Sequence, residues 1–398
     1  MGGGQLGRMF VHAAQALGYQ TAVLDPDPAS PAGRVSHFHI KTDYLNAQGL
    51  AELVRHSHAI TTEFENVPAA ALLAMAKTRP VAPTASAVAI AQDRAAEKAH
   101  FVKCGVPCAP YALIETVAQR DAVGADLLPG ILKTARMGYD GKGQMRVKNR
   151  AELAAAWSAL NQAPCVLEKM LALQAECSVI IARGRDGTCV NLPLQRNTHR
   201  GGILAVTEVF KKNMPEVVAI KAVLAAKSIA DELRYVGVLC VEFFLVQDST
   251  QARPQLVVNE IAPRPHNSGH YSLNACDVSQ FELQVRALAG LPLVQPRQHS
   301  PAIMLNLLGD LWPAMGPVQW DTLLALPGTH LHLYGKTEAR AGRKMGHLNI
   351  TGKTVAQVEA TALKAARLLG IQPLAHWSLV AADAGGQTLT PANTKARQ

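Results

Sequence analysis

The 398-residue chain has no run approaching the roughly 18 apolar residues a membrane-spanning helix needs, and no basic segment leading into an apolar stretch at its start. Neither a membrane partner nor a secretory leader is expected, and a cytoplasmic location follows. Aromatic residues make up only 5%, and the excess of 39 Lys plus Arg over 30 Asp plus Glu is dispersed, its densest clusters being short ones such as Arg340 to Lys344. A stacking nucleic-acid surface is therefore disfavoured, and the net charge of +9 points to small anionic ligands. The seven cysteines are odd in number and several lie in apolar runs such as Val238-Leu239-Cys240-Val241, while Cys104 and Cys108 have no second pair at zinc spacing. Reduced, buried thiols are expected and a structural zinc is not. His37, His39, His56 and His58 read as solvated polar positions. No G-x-x-x-x-G-K-[ST] is present, which disfavours the P-loop class.

What is there is a globular composition, 48% hydrophobic and 17% charged, in a chain too long for one growing core. Three domains are expected: 1–90, 91–297 and 298–398. The first has α/β texture. Gly2, Gly4 and Gly7 have G-x-G-x-x-G spacing, a helical pattern runs to Leu17, and Thr21 to Asp25 reads as a strand ended by Pro26, as in a nucleotide-binding unit. The strand that opens such a unit is not in the sequence, so a start placed too late or a clipped chain is expected. Ile60 to Pro68 reads as a further strand end bearing Glu63 and Glu65, and Ala85 to Cys104 as one helix with Asp93 and Arg94 near its middle. The second domain is α+β, with a lid-like region at 106–175. Strands at Ile303 to Leu308, His330 to Tyr334 and Met345 to Ile350, with a helix from Thr354 to Leu369, make a last small domain.

The segment Val257 to His270, V-V-N-E-I-A-P-R-P-H-N-S-G-H, runs a carboxylate off an apolar strand into a proline-stiffened loop. Alone it fits either a metal-phosphate site or a surface turn. Glu242 lies on the preceding strand, and the polar turn Gln247 to Pro254 makes the two strands a hairpin, so Glu242 and Glu260 face one another. Two buried carboxylates suit a divalent cation, or else one pairs with arginine and the other lies at an edge. A second hairpin joins Pro129 to Lys133 with Met145 to Val147 through a loop whose glycines, Gly138, Gly141 and Gly143, let backbone N–H groups approach phosphate while Lys142 adds charge. Lys133 before it and Glu168 beyond the next helix make the nucleotide reading more specific.

These residues carry a resemblance to the ATP-grasp enzymes, and within them to the N5-carboxyaminoimidazole ribonucleotide synthetases. It rests on G-G-G-Q-L-G-R-M at 2–9, E-F-E-N-V at 63–67, G-Y-D-G-K-G-Q at 138–144, N-E-I-A-P-R-P-H-N-S-G-H at 259–270 and G-R-K-M-G-H-L-N at 342–349, in order along nearly the whole chain. The resemblance implies a three-domain ATP-grasp fold with a Rossmann-like pre-ATP-grasp domain, here without its first strand. It implies a ligase that joins bicarbonate to 5-aminoimidazole ribonucleotide (AIR) through carboxyphosphate in purine biosynthesis, a homodimeric habit, and a product passed to a separate mutase. ATP would meet Arg94, Lys133, Gly138, Tyr139, Asp140, Gly141, Lys142, Gly143, Gln144, Glu168, Lys169, Met170, Leu171, Glu176, His199, Asn259 and Glu260. Mg²⁺, or Mn²⁺, would bridge Glu242 and Glu260. Gln5 and Glu63 fall at substrate positions, and Lys336, Arg343 and Lys344 would take the 5′-phosphate. Asp140 would position or deprotonate the amine, and Arg264, His266 and Asn267 would hold bicarbonate or carboxyphosphate. A formate-dependent glycinamide ribonucleotide transformylase or a biotin carboxylase would share the carboxylate pair, but the 342–349 motif and H-N-S-G-H argue against both. Gly2, Gly4 and Gly7 with Asp25 also fit an NAD-dependent dehydrogenase, a reading that gives Glu242, Glu260 and the second glycine loop no role.

Overall fold

The computed structural model describes residues 1–138, 143–247, 254–314 and 320–377. Its organising element is a nine-stranded sheet in which the pairings among the described residues are all antiparallel. The strands run in the order Gln255–Ala262, Gly237–Val246, Leu173–Arg183, Gln195–Arg200, Ile203–Val209, Ala302–Leu308, Lys344–Thr351 and Thr329–Leu333, and Cys189–Asn191 pairs with Leu173–Arg183. Gly237–Val246 is buried on both faces except at Glu242 and Phe244, because the helix Glu216–Glu232 packs on one side and Gln280–Ala289 on the other. The three strands of the last segment, expected in a small domain of their own, join this sheet. Val206 to Val209 pair with Leu305 to Ala302, so the sheet crosses the boundary expected near 297.

A separate four-stranded sheet, Tyr111–Ile114, Cys165–Lys169, Gly130–Thr134 and Gln144–Val147, carries the expected glycine hairpin. Its helix Arg150–Ala159 buries Leu153, Ala156 and Trp157 against Leu132 and Leu167. Residues 139–142, at the tip of the hairpin, lie outside the described residues, and Tyr139, Asp140, Gly141 and Lys142 with them.

The helix expected over Ala85 to Cys104 is two helices, Ala85–Ala91 and Arg94–Lys103. Asp93 breaks it: its Oδ1 accepts from the N–H groups of Ala95 and Ala96, an N-cap that favours a new start over continuation. The cap puts Arg94 on the first turn, facing the sheet.

In the N-terminal unit the helix Gln5–Ala16 precedes two short parallel strands, Ala22–Leu24 and Phe38–Ile40. The expected strand at Ile60 to Pro68 is reduced to a single parallel bridge, Ile60 to Val81. Its other flank meets only Met1, whose nitrogen donates to Thr61 O at 2.7 Å. One residue of neighbouring backbone cannot extend a ladder. All seven cysteines are free, as expected. No described helix is long and apolar enough to cross a membrane.

Candidate active site

A cavity of about 1240 Å³ lies among the two larger sheets and the N-terminal unit. Every expected site residue within the described part of the chain lines it, from Gln5 and Glu63, through Arg94, Lys133 and Glu168, to Lys336, Arg343 and Lys344. Thus residues more than 300 positions apart in sequence share one space.

At its floor Glu242 and Glu260 are direct register partners on neighbouring strands, which puts both side chains on the same face. The register then slips, Phe243 pairing with Val258, so Asn259 is the extra residue of a β-bulge. Asn259 O accepts from Lys98 Nζ at 3.0 Å, and its buried Oδ1 has no hydrogen-bond partner. Two carboxylates and an unpartnered amide oxygen form a hard, all-oxygen donor set of the kind Mg²⁺ takes. Each carboxylate meets a nitrogen of the protein: Glu242 lies 2.9 Å from His266 Nε2, and Glu260 lies 3.2 Å from Arg94 Nη1. Burial would raise the Glu242 carboxyl, but His266, His199 and Lys344 outweigh it and pull it down to about 2.

The nucleotide side is built on a diagonal pair. Ile131 is the register partner of Glu168, so Lys133, two residues on, reaches Glu168 from the same face, Nζ to Oε2 at 3.0 Å. Lys98, wholly buried, lies 3.4 Å from the other carboxylate oxygen. Burial depresses the Lys133 ammonium despite Glu168, while the two lysines overcome burial to depress Glu168. His199 Nδ1 meets Glu176, register-paired strands bringing them together, and this contact raises the imidazole against burial.

The loop after Glu260 divides its work differently from expectation. Arg264 is not held open toward an anion. Its Nε donates to Glu65 Oε2 at 2.5 Å and its Nη1 to Pro265 O, tying the N-terminal unit to the metal-side loop. Against burial, that guanidinium draws Glu65 down to about 2. His266 is turned to Glu242, while Asn267, buried and facing the cavity, has no partner for either side-chain polar atom. Asn267 thus presents both side-chain polar atoms to the cavity without a partner among the described residues.

Glu63 has a backbone task beside the cavity. Its two oxygens accept from the N–H groups of Gly4 at 2.9 Å and Gly7 at 3.0 Å, capping the helix Gln5–Ala16 from outside. A Cβ on Gly4 would lie 2.6 Å from Glu63 Oε1, so a larger residue there would push the Glu63 carboxylate off these N–H groups. Asp25, the acid a dehydrogenase would turn to ribose, is occupied inside the fold: Oδ2 accepts from Gly3 N–H at 2.7 Å and from Tyr44 Oη at 2.6 Å. That removes the geometric support for the dinucleotide reading.

Sequence reasoning missed Glu65, Glu97 and Lys98 as parts of the site. Glu65 carried a signal, being two residues beyond Glu63 in a strand-end motif. Glu97 and Lys98 carried none, since both read as the polar face of a helix; in fact they are 2% and 0% exposed, and Glu97 Oε1 accepts from Ile261 N–H at 2.7 Å.

Known proteins resemble this chain in sequence and fold. Family profiles match at 1–92 (ribonucleotide synthetase preATP-grasp domain), 99–281 (ATP-grasp domain) and 302–361 (phosphoribosylaminoimidazole carboxylase C-terminal domain). The N5-carboxyaminoimidazole ribonucleotide synthase of Brucella melitensis is 42% identical over 358 residues, covering 87% of this chain and 94% of its own. That of Bacillus subtilis is 39% identical over 349 residues, covering 87% and 89%. Among solved structures, the synthetase of Thermus thermophilus superposes with a TM-score of 0.84 at 35% identity, covering 94% of this chain and 98% of that one. The Aspergillus clavatus synthase, in complex with ADP and 5-aminoimidazole ribonucleotide, does so with a TM-score of 0.84 at 30% identity, covering 93% and 97%. With its glycine turn, glycine hairpin and paired strand carboxylates in one cavity, the chain belongs to the N5-carboxyaminoimidazole ribonucleotide synthase family of ATP-grasp enzymes.

Proposed function

We propose that the chain carboxylates AIR with bicarbonate and ATP, giving N5-carboxyaminoimidazole ribonucleotide, ADP and phosphate. The observation that carries this is one cavity with a register-paired carboxylate floor, Glu242 and Glu260, and a cationic wall of Lys336, Arg343 and Lys344. ATP enters between the sheets, its phosphates against Lys133 and the hairpin of Gly138 and Gly143, with Glu168, Lys169, Met170 and Leu171 along its base and ribose. Mg²⁺ fits Glu242, Glu260 and Asn259 Oδ1, and supplies charge neutralisation on the transferring phosphoryl group when bound.

A bicarbonate oxygen takes the γ-phosphoryl group as the bond to ADP breaks, giving carboxyphosphate. The exocyclic amine of AIR then attacks the carboxyl carbon, the C–O bond to phosphorus breaks, phosphate leaves and the amine loses one proton. Asp140 is assigned to that proton. Asn267 is positioned to orient the carboxyl group, and His266 sets the Glu242 carboxylate in place. Bicarbonate is a poor electrophile, so phosphorylation is what makes its carbon attackable, and alignment in the cavity supplies the rest. Gln5 and Glu63 face the AIR ribose, and the cationic wall takes its phosphate. The chain divides into units of 1–90, 91–297 and 298–398, acts as a homodimer, and passes its product to a separate mutase.

A coupled ADP-release assay with Mg²⁺ tests this. ADP release is expected to require both AIR and bicarbonate, and Glu260→Gln is expected to lower it by at least about 10²–10³-fold with an unchanged circular dichroism spectrum. Release indifferent to AIR and bicarbonate, or turnover retained in Glu260→Gln, would sink the assignment.

A further inference from the structure

The motifs at 259–270 and 342–349 contain residues that have no task so far, His270 in the first and His347 and Asn349 in the second. The fold puts them together. The ring centre of His270 lies 4.6 Å from that of His347, His347 stacks on His332 at 4.5 Å, and Asn349 Nδ2 donates to His270 O at 2.9 Å. His270 and His347 are both buried, yet His270 lines the large cavity. Burial, helped by His266, His332, Lys344 and Arg264, pushes the His270 imidazole well below its ordinary range. Burial does the same to His347 and brings His332 down to about 4. Three adjoining, desolvated rings are therefore neutral around pH 7.

A neutral imidazole carries one ring proton, and Gln280 fixes which nitrogen holds it. Gln280 is wholly buried behind the loop, at the start of the helix Gln280–Ala289, and its side chain brackets His266. Its Oε1 accepts from His266 N–H at 2.8 Å, and its Nε2 donates to His266 O at 2.8 Å. A backbone N–H only donates and a backbone C=O only accepts, so the amide cannot be turned over. Gln280 Nε2 also lies 3.0 Å from His270 Nδ1, which must then accept. The ring proton belongs on Nε2, and that atom has no partner among the described residues. A Cβ on Gly269 would run into Gln280 Oε1, and Gln280 N–H donates to Ser272 Oγ at 3.0 Å, so amide and loop are locked together.

Resting on the carboxylation reading above, we propose that His270 presents Nε2–H to the large cavity as a fixed, uncharged donor to an anionic oxygen of the bound substrates, with Gln280 as the positioning residue that holds its tautomer. Lys344 and Arg264 make the surroundings positive, so an anion is what this region attracts. The reaction supplies such oxygens from two sources, the 5′-phosphate of AIR and carboxyphosphate. A neutral imidazole donates a hydrogen bond to either without giving up a proton, as a weakly acidic N–H can and an imidazolium cannot.

Nitrogen-15 NMR of the histidine-labelled full chain, with His270 assigned from the spectra of His270→Asn and His270→Gln, reads the tautomer directly. Nδ1 is expected unprotonated and Nε2 protonated, unchanged between about pH 6 and about pH 8. A proton on Nδ1, or a ring that titrates in that range, would overturn the assignment. Kinetics locate the acceptor. In His270→Asn the amide oxygen still accepts from Gln280 but no donor reaches the place of Nε2, whereas in His270→Gln the amide nitrogen does. His270→Asn is expected to lower kcat/KM about 10–100-fold and His270→Gln to recover most of that loss. A raised KM for AIR with kcat kept marks the 5′-phosphate as the acceptor, and a lowered kcat with that KM kept marks carboxyphosphate. Equal kinetics in the parent and His270→Asn, or equal losses in the two variants, would defeat the donor role. ADP release in the parent that ignores AIR and bicarbonate would instead defeat the carboxylation reading, on which the NMR outcome does not depend.

Discussion

The two ends of the large cavity treat charge in opposite ways. On the nucleotide and metal side, Glu168 meets Lys133 and Lys98, Glu260 meets Arg94, and Glu242 meets His266. On the far side, backbone carbonyls are among the acceptors: Lys336 donates to Lys344 O at 2.7 Å and Arg343 to Glu338 O at 2.9 Å, while Arg340 pairs with the exposed Glu338. The first arrangement keeps buried carboxylates ionised and aimed before any ligand arrives. On the second, a neutral carbonyl holds the Arg343 guanidinium, which stays half-exposed toward a phosphate. Preorganisation at one end and attraction at the other suit a cavity that must align one nucleotide and capture a second.

The comparison is broken most severely by removing Glu168, the anion shared by two buried lysines. Glu168→Gln keeps the volume but leaves Lys98 and Lys133 facing one another without a counter-charge. A loss of about 3–5 kcal/mol in urea unfolding at pH 7 is expected, with an unchanged m-value. A loss below about 1 kcal/mol would mean that water or Asn259 O, not the carboxylate, compensates the lysines.

A second test uses Glu97, a buried acid on this side whose carboxyl is raised rather than lowered. Burial raises Glu97 to about 8, against Lys98 and Arg94, so it is protonated at neutral pH. Its folded pKa lies above the unfolded value, so the folded state holds the proton longer, and stability falls as pH rises from about 4.5 to about 8. Between pH 5 and pH 7 that amounts to on the order of 3 kcal/mol. Glu97→Gln keeps an acceptor for Ile261 N–H and does not titrate. The variant is expected to match the parent near pH 5 and exceed it at pH 7; parallel stability curves for the two proteins would refute a neutral Glu97.

How much of this was legible follows from the range over which each feature is encoded. Glu242 and Glu260 could be placed face to face because their strands are consecutive and joined by a short polar turn. The glycine hairpin was legible for the same reason. The break at Asp93 was not, since an aspartate within a helical run serves equally as a solvated residue or a cap until its neighbours are placed. Nor could the pairing of Ile203–Val209 with Ala302–Leu308 be read, because strands so far apart in sequence leave no local mark of their partner. Lys98 shows the same limit at a single residue. Its charge predicts exposure, and only the convergence of a helix, the Asn259 bulge and Glu168 makes burial tolerable.

The smallest expected effect sharpens the contrast from the cationic side. Arg343 is half-buried and hydrogen-bonded to a backbone carbonyl. Truncation therefore exposes no buried charge, and Arg343→Ala is expected to leave Tm within a few degrees of the parent. If the guanidinium meets the AIR phosphate, its loss removes one charge-assisted contact made in both the ground state and the transition state. The KM for AIR should then rise about 10–100-fold with kcat little changed, a loss of about 1.4–2.8 kcal/mol. The KM for ATP should stay put, because the proposed ATP contacts, Lys133 and Glu168, are on the separate four-stranded sheet. Raised salt should weaken AIR binding more in the parent than in the variant, since an accessible cation is screened by salt and the buried Lys98–Glu168–Lys133 group is not. An ATP KM that rises in step with that for AIR would show that the two ends are not separate, and that the cationic wall holds the whole cavity in shape rather than one substrate.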